Sequence, residues 1–357
     1  VNGGESADDA LLEAGTAPDF WVTAEIPVEH GAISGIAVTP DGRRLMVSHY
    51  GDNSVSLIDT GERPVTWTTV ETDEPFAIAT AGTRGGRAYF TTVSPAYDSI
   101  VDLDVDANRI VAVHPVAHSV TDLAVSPDGM HVYASRTAIN GADVAVVDTA
   151  TGREDAIGIA SVPGTTTECV RVSPDGRRLY VATNGPSGSE LVVIDTRRKR
   201  VVRTVEIGSP IRDIALSPDG TTAYVASCGP DFGAVLDVVD TRSNVVTSTC
   251  KFSEIAGFVG QLALSRDGER AYLVGDDGVM VLSTLTHDVI GNLTVGSQPS
   301  CVIESPDGKH LYVADYAGTV TVLAIASSTT SVGEDDERTT PHEWALPELL
   351  QLEPTLI

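Results

Sequence analysis

Lysine is nearly absent from this chain. Of its 357 residues only Lys199, Lys251 and Lys309 are lysines, and 23 lysines and arginines face 50 acids for a formal charge of −27. A surface this negative repels phosphate backbones and anionic headgroups, so nucleic acid is not expected as a partner and cationic partners are favoured. The one basic run, Arg197-Arg198-Lys199-Arg200, reads as a solvated hairpin tip. Long apolar stretches are missing too, and no run approaches the roughly 18 residues of a membrane helix, so no membrane span is expected. The four cysteines, Cys169, Cys228, Cys250 and Cys301, form no CxxC pair, which argues against a structural zinc site; a Cys228–Cys250 disulfide is left open. Gly-x-Ser-x-Gly, Gly-rich phosphate loops and His-Glu-x-x-His are also lacking, so no catalytic residue is assigned.

What the chain has is repetition. Thr39-Pro40-Asp41-Gly42 recurs as Ser126 to Gly129, Ser173 to Gly176, Ser217 to Gly220, Ser265-Arg266-Asp267-Gly268 and Ser305 to Gly308, with a degenerate copy ending at Gly85. The glycines are 43, 44, 47, 44, 48 and 40 residues apart, the pitch of one four-stranded propeller blade. Within a repeat, a small-residue strand such as Leu123-Ala124-Val125 leads through the turn to an aromatic-centred strand such as Leu179-Tyr180-Val181. A third strand follows, ending in Asp-Thr at Asp59-Thr60, Asp148-Thr149, Asp195-Thr196 and Asp240-Thr241, and then a fourth such as 201–207. Proline fixes φ, aspartate bonds nearby backbone and glycine takes the positive φ of the hairpin, so these motifs are structural.

The last repeat has only three strands, while an orphan strand, 20–26, precedes the first. The expected fold is therefore all-β: a seven-bladed β-propeller whose N-terminal strand completes the last blade and pairs two otherwise exposed edges. Residues 1–19 form an acidic lead-in without a basic or apolar leader pattern. The propeller spans 20–326. Residues 327–357 start as an acidic linker and end in an apolar tail with Trp344, Leu346, Leu349 and Leu350, expected to dock on its own chain or on a partner.

The Tyr-Val-Ala-Thr-Asn run at Tyr180 to Asn184, with Tyr224-Val225-Ala226-Ser227 and Tyr312-Val313-Ala314-Asp315, resembles the YVTN family of seven-bladed propellers. The resemblance covers roughly 20–326. It implies the same fold, an extracytoplasmic location in the periplasm, envelope or medium, and a binding role. Relatives on the fold include lactonases and haem-binding proteins, since a fold does not fix a function.

In such a ring the loops before the first strand and after the second share one face. Four positions before each turn's first residue stand Gly35, Ala77, Asp122, Cys169, Asp213, Gln261 and Cys301; two further on stand Ala37, Ala79, Ala124, Arg171, Ala215, Ala263 and Ile303. Arg171 breaks a ring of packing residues and needs carboxylate partners, for which Asp122, Asp213 and Glu304 are the expected acids. His30, His49 and His118 fall on the loop face, where with Asp122 they could serve a metal or haem, though no cofactor is assigned. His131 and His310 lie beside the turns and receive no role. Arg212 joins His30, His118, Asp122 and Arg171 as the carboxylate, imidazole and guanidinium set that a lactonase would need. Tyr50 and Phe232, on loops after the second strands, are the aromatic candidates for association. The expected function is non-enzymatic binding of a protein or small ligand by a monomer through its loop face, with a lactonase-like hydrolase or a haem or metal propeller as the alternatives.

Overall fold

Short runs of β-branched residues punctuated by proline, glycine and aspartate favour short antiparallel strands. The computed structural model describes residues 19–28, 30–61, 65–82, 86–116, 119–229, 233–252, 259–296 and 298–326. Their strands form seven four-stranded antiparallel sheets, the blades of a seven-bladed propeller. Blades one to six span 33–71, 74–116, 120–160, 166–207, 211–252 and 259–293. Blade seven joins Pro299–Glu304, His310–Asp315 and Thr319–Ile325 to the N-terminal strand Phe20–Pro27. That closing strand pairs Val22 with Leu323 and Ile26 with Val320, as the orphan strand implies. The tail 327–357 and the lead-in 1–18 lie outside the described residues.

The core is circular. Seven clusters of buried side chains each draw on two adjacent blades, so the blades are held by their neighbours' faces. Each fully buried Val, Leu or Ile contributes about 1.5–3 kcal/mol relative to exposure. The tyrosine of the second strand and the threonine after the third explain each other across these interfaces. Tyr180 hydrogen-bonds Thr241 of the next blade and Tyr224 bonds Thr284, while each threonine hydroxyl donates to a turn glycine carbonyl, Gly220 and Gly268 respectively. Blade one has Met46 where the other six have tyrosine, and the residue it packs against in blade two is Val105 instead of threonine. Blade seven has Ile325 at the threonine position, and the Tyr272 hydroxyl donates instead to Glu304 at 2.6 Å. Where the threonine is missing, the tyrosine is either missing as well or gives its hydroxyl to a carboxylate.

The turns work as expected of their residues. In each of six, the Ser or Thr hydroxyl donates to the aspartate two residues on, from Thr39–Asp41 at 2.7 Å to Ser305–Asp307 at 2.6 Å, and the glycine has φ between 68 and 77°. The degenerate turn of blade two is one residue longer: the Ala81 N–H reaches the Arg87 carbonyl, and Gly86 is its left-handed residue, with Gly85 outside the described residues. The hydroxyl and backbone N–H donors hold Asp41, Asp128, Asp175 and Asp219 below the usual carboxylate range. A carboxyl whose folded pKa lies below its unfolded value stabilises the fold above the unfolded pKa, and that stability is lost as pH falls through the folded value. Thermal melts between about pH 5 and 2 should therefore hold a plateau down to the ordinary value of 3.8 and fall below it; a melting temperature flat through this window would contradict the turn assignment.

All four cysteines are free. Cys228 and Cys250 pack against one cluster between blades five and six without a bridge.

Candidate functional site

Each inner strand starts with a register shift against its neighbour: Ile33/Gly35, Pro75/Ile78, Val120/Asp122, Thr167/Val170, Ile211/Asp213, Val259/Leu262 and Pro299/Cys301. A bulge frees a residue from the ladder and re-aims its side chain. Here the freed position, one per blade, carries Ser34, Phe76, Thr121, Glu168, Arg212, Gly260 and Ser300, and all seven line the central cavity of about 580 Å³. Below them lie the two rings read from the sequence, which line the same cavity apart from Ala215 and Ala263. The mouth ring lies five positions before each turn's first residue and is visible in the sequence at that offset. Of its members, sequence reasoning singled out only Arg212.

Arg171 stands in the channel as the exception among small residues, and each of its three guanidinium nitrogens is engaged. Nε donates to the Ile214 carbonyl at 2.9 Å and Nη1 to the Val170 carbonyl at 2.8 Å. Nη1 also pairs with Asp122, and Nη2 with Asp213 at 2.5 Å. Asp122 further accepts the Val170 N–H at 3.0 Å, and Asp213 accepts the N–H of Leu262 at 2.8 Å. The triad thus ties blade three to four, four to five, and five to six. Gln261 extends the chain by accepting the Val302 N–H of blade seven at 2.7 Å. Burial works against the Arg171 charge, and the two carboxylates more than offset it, leaving the guanidinium above its ordinary pKa. Burial also pushes the Asp213 carboxyl above the usual range, against the pull of Arg171 and the backbone donors. Cys301, fully buried in this wall, is raised to about 12 by the same desolvation.

Glu304, expected near the channel, is elsewhere. It immediately precedes the turn, so it lies at the far end of its inner strand, taking the Tyr272 hydroxyl and the Arg266 N–H at 3.0 Å.

His30 and His49 do not line the channel. His49 is the last residue of the strand Arg44–His49, not of the loop, and is wholly buried. Its Nδ1 faces the Gly31 carbonyl at 3.2 Å and its Nε2 the Ser56 hydroxyl at 2.9 Å, and burial lowers its pKa, which favours the neutral ring. His30 lies 5.1 Å from it ring to ring and bonds Thr69 of the outermost strand of blade one at 3.1 Å. His118 and Phe232 lie outside the described residues. Among the described residues, no group of three or more His, Cys, Asp and Glu is placed to hold a metal ion. Of the remaining candidates, Arg212 is in the mouth ring, its Nε 3.4 Å from the Cys228 sulfur. Tyr50 is 50% exposed on the adjoining loop and packs edge to face on Phe76, itself 40% exposed, with centroids 6.2 Å apart. An aromatic wall therefore rises from the mouth ring to the loop tip of blade one, and on blade four the mouth-ring Glu168 accepts a hydrogen bond from Asn184 at 3.0 Å.

No family model matches the chain. The chain is 49% identical to the seven-bladed beta-propeller protein Rv1057 of Mycobacterium tuberculosis, across 99% of this chain and 97% of that protein. Among solved structures, hydrazine synthase of Kuenenia stuttgartiensis superposes with a TM-score of 0.73 at 20% identity, covering 85% of this chain and 97% of that one; at this identity the likeness is one of fold.

Proposed function

We infer the task from one premise: the chain belongs to the family of seven-bladed β-propeller proteins represented by its mycobacterial relative. It is a non-enzymatic binding propeller that presents its loop face and channel mouth to a cationic protein or small ligand. The observation that carries this is the mouth ring, where seven equivalent positions hold one aromatic, one acid, one base, three hydroxyls and one glycine. A position needed only for packing would repeat its residue from blade to blade, as the alanines of the deeper ring do. Mixed chemistry at a solvent-facing rim is what recognition of a shaped ligand requires.

The hydroxyls of the ring support binding over covalent chemistry. Ser34 bonds Ser48 and Ser300 donates to the Ala314 carbonyl, while Thr121 bonds Ser135 and Thr167. Each is engaged with another hydroxyl or a carbonyl, whereas a nucleophilic hydroxyl needs an adjacent base. The charge of −27 steers cations toward the face, and the Tyr50–Phe76 wall supplies apolar and cation–π surface. The resemblance to the YVTN family is the support for an extracytoplasmic setting.

The test is calorimetric titration of the full chain with an oligolysine peptide ending in tryptophan. Tyr50→Ala and Phe76→Ala should each weaken binding about tenfold, as for an aromatic hot spot, with the melting temperature unchanged for Tyr50→Ala. Peptide binding indifferent to both substitutions, or turnover of a lactone abolished by Arg212→Ala, would defeat this reading.

A further inference from the structure

Only blade one carries an imidazole at the residue that pairs with the start of its inner strand. His49 pairs with Ile33, and the equivalent residue of the other six blades is never histidine. His49 is also the buried anchor of the segment that presents Tyr50. Its Nδ1 meets the Gly31 carbonyl, the Gly31 N–H donates to the Asp52 carboxylate, and the Tyr50 N–H donates to the Ala32 carbonyl at 3.0 Å. Residues 30–32 and 49–52 are thus laced together around one ring, and from that lacing Tyr50 packs on Phe76.

The lacing suits a neutral His49. With the proton on Nδ1 the ring donates to the Gly31 carbonyl while Nε2 accepts from the Ser56 hydroxyl, which satisfies both nitrogens. A second proton puts a charge in a wholly buried place, 5.1 Å from the His30 ring. Asp52 is the carboxylate beside the pair, 3.7 Å from His30 Nδ1, and it already accepts the Gly31 N–H. The other packed elements add little compensation. The third strand brings Ser54 and Ser56, and the outer strand brings Thr69 and, opposite Ser54, the exposed Glu71. On the facing loop of blade seven, Asp315 is taken by the Ala317 and Thr319 N–H groups. Ser54, directly across the ladder from His49, keeps a buried hydroxyl without a partner, a cost that the closed arrangement already carries. Desolvation first, and the neighbouring His30 with it, lower the His49 pKa. A base whose folded pKa lies below its unfolded value stabilises the fold above the unfolded value. That stability is lost as pH falls below the ordinary 6.5 through the folded value.

We propose that the His30–His49 pair makes the loop-face site acid-sensitive: neutral rings hold Tyr50 on Phe76, and protonation of the pair unlaces 30–32 from 49–52 and releases what the site binds. This rests on the loop face being the binding surface and adds its regulation.

The full chain is titrated calorimetrically with the tryptophan-tipped oligolysine peptide at about pH 7.5 and 5.5, a range in which histidine changes charge and lysine does not. Amide exchange of residues 49–53 is followed in parallel without peptide, corrected for its intrinsic pH dependence. Affinity should fall about tenfold at the lower pH, the consequence of a one-unit pKa difference between laced and open loop, and protection at 49–53 should fall with it. His49→Gln, whose amide can replace both hydrogen bonds but cannot be charged, should abolish both changes. His30→Gln, on a part-exposed residue and so safe for the fold, should reduce both to about threefold or less by removing one of the two charges. Loop protection equal at the two pH values, or an acid loss undiminished in His30→Gln, overturns the switch. A peptide that fails to bind at pH 7.5 defeats the functional reading instead, and the exchange comparison still decides the switch.

Discussion

Removing residues 1 to 26 is expected to abolish the single cooperative unfolding transition of the propeller. The closing strand pairs with Thr319–Ile325 from Phe20 to Pro27, so its loss leaves a bare edge in blade seven. It also empties two interfaces at once. Phe20 is buried between blades six and seven, edge to face on Tyr272 and under the Arg270 guanidinium at 5.4 Å, and Ile26 is buried between blades seven and one. Truncating a buried Phe to Ala costs about 3–5 kcal/mol, and an Ile about 2–5. Together these rival the roughly 5–15 kcal/mol that holds a typical domain folded. Phe20→Ala alone should lower the melting temperature and leave a folded ring, and a truncated chain that melts where the full chain does would refute closure by this strand.

Arg171→Ala should be the most damaging single substitution in the channel. It leaves Asp213, 5% exposed, and Asp122, 16% exposed, without their cation. Breaking a buried pair in this way costs about 3 kcal/mol or more, the lower end being expected because the triad borders an open cavity. Burial already raises the Asp213 carboxyl against Arg171, so loss of the arginine raises it further. A carboxyl whose folded pKa exceeds its unfolded value contributes stability below the unfolded pKa, and that contribution is lost as pH rises through the folded pKa. The deficit of the variant should therefore be largest near neutral pH and shrink on acidification toward the ordinary value of 3.8. Adding Asp122→Asn and Asp213→Asn should recover part of the loss. Urea melts across that range check it, and a deficit independent of pH would contradict the triad's role.

The architecture was legible because its determinants are local. A Ser-Pro-Asp-Gly turn binds its own hydroxyl, carboxylate and backbone within five residues, so the sequence exposes each turn, the period and the missing fourth strand of blade seven. Arg171 was legible for a different reason, standing as one long cation among five alanines in register. What escaped depends on geometry that the register conceals. The mouth ring exists because a bulge turns one residue per blade inward, which brings Phe76 and Glu168 into the cavity. His49 looked like a loop residue but is the last position of its strand, where Ser56 and Gly31 enclose it. Glu304 was close to the channel in sequence and a strand length from its mouth in space. The Tyr–Thr latch joins residues about 60 apart, Tyr180 with Thr241 and Tyr224 with Thr284, so neither repeat reveals it alone.

The central claim is that the loop face and channel mouth are the working surface. Amide hydrogen exchange of the full chain, with and without the tryptophan-tipped oligolysine peptide, tests it directly. The account predicts added protection at the loop after Arg44–His49, around Phe76 and at the bulges of the inner strands, with none at the Pro-Asp-Gly turns. Protection centred on those turns, or no change anywhere while the peptide is bound, would contradict it.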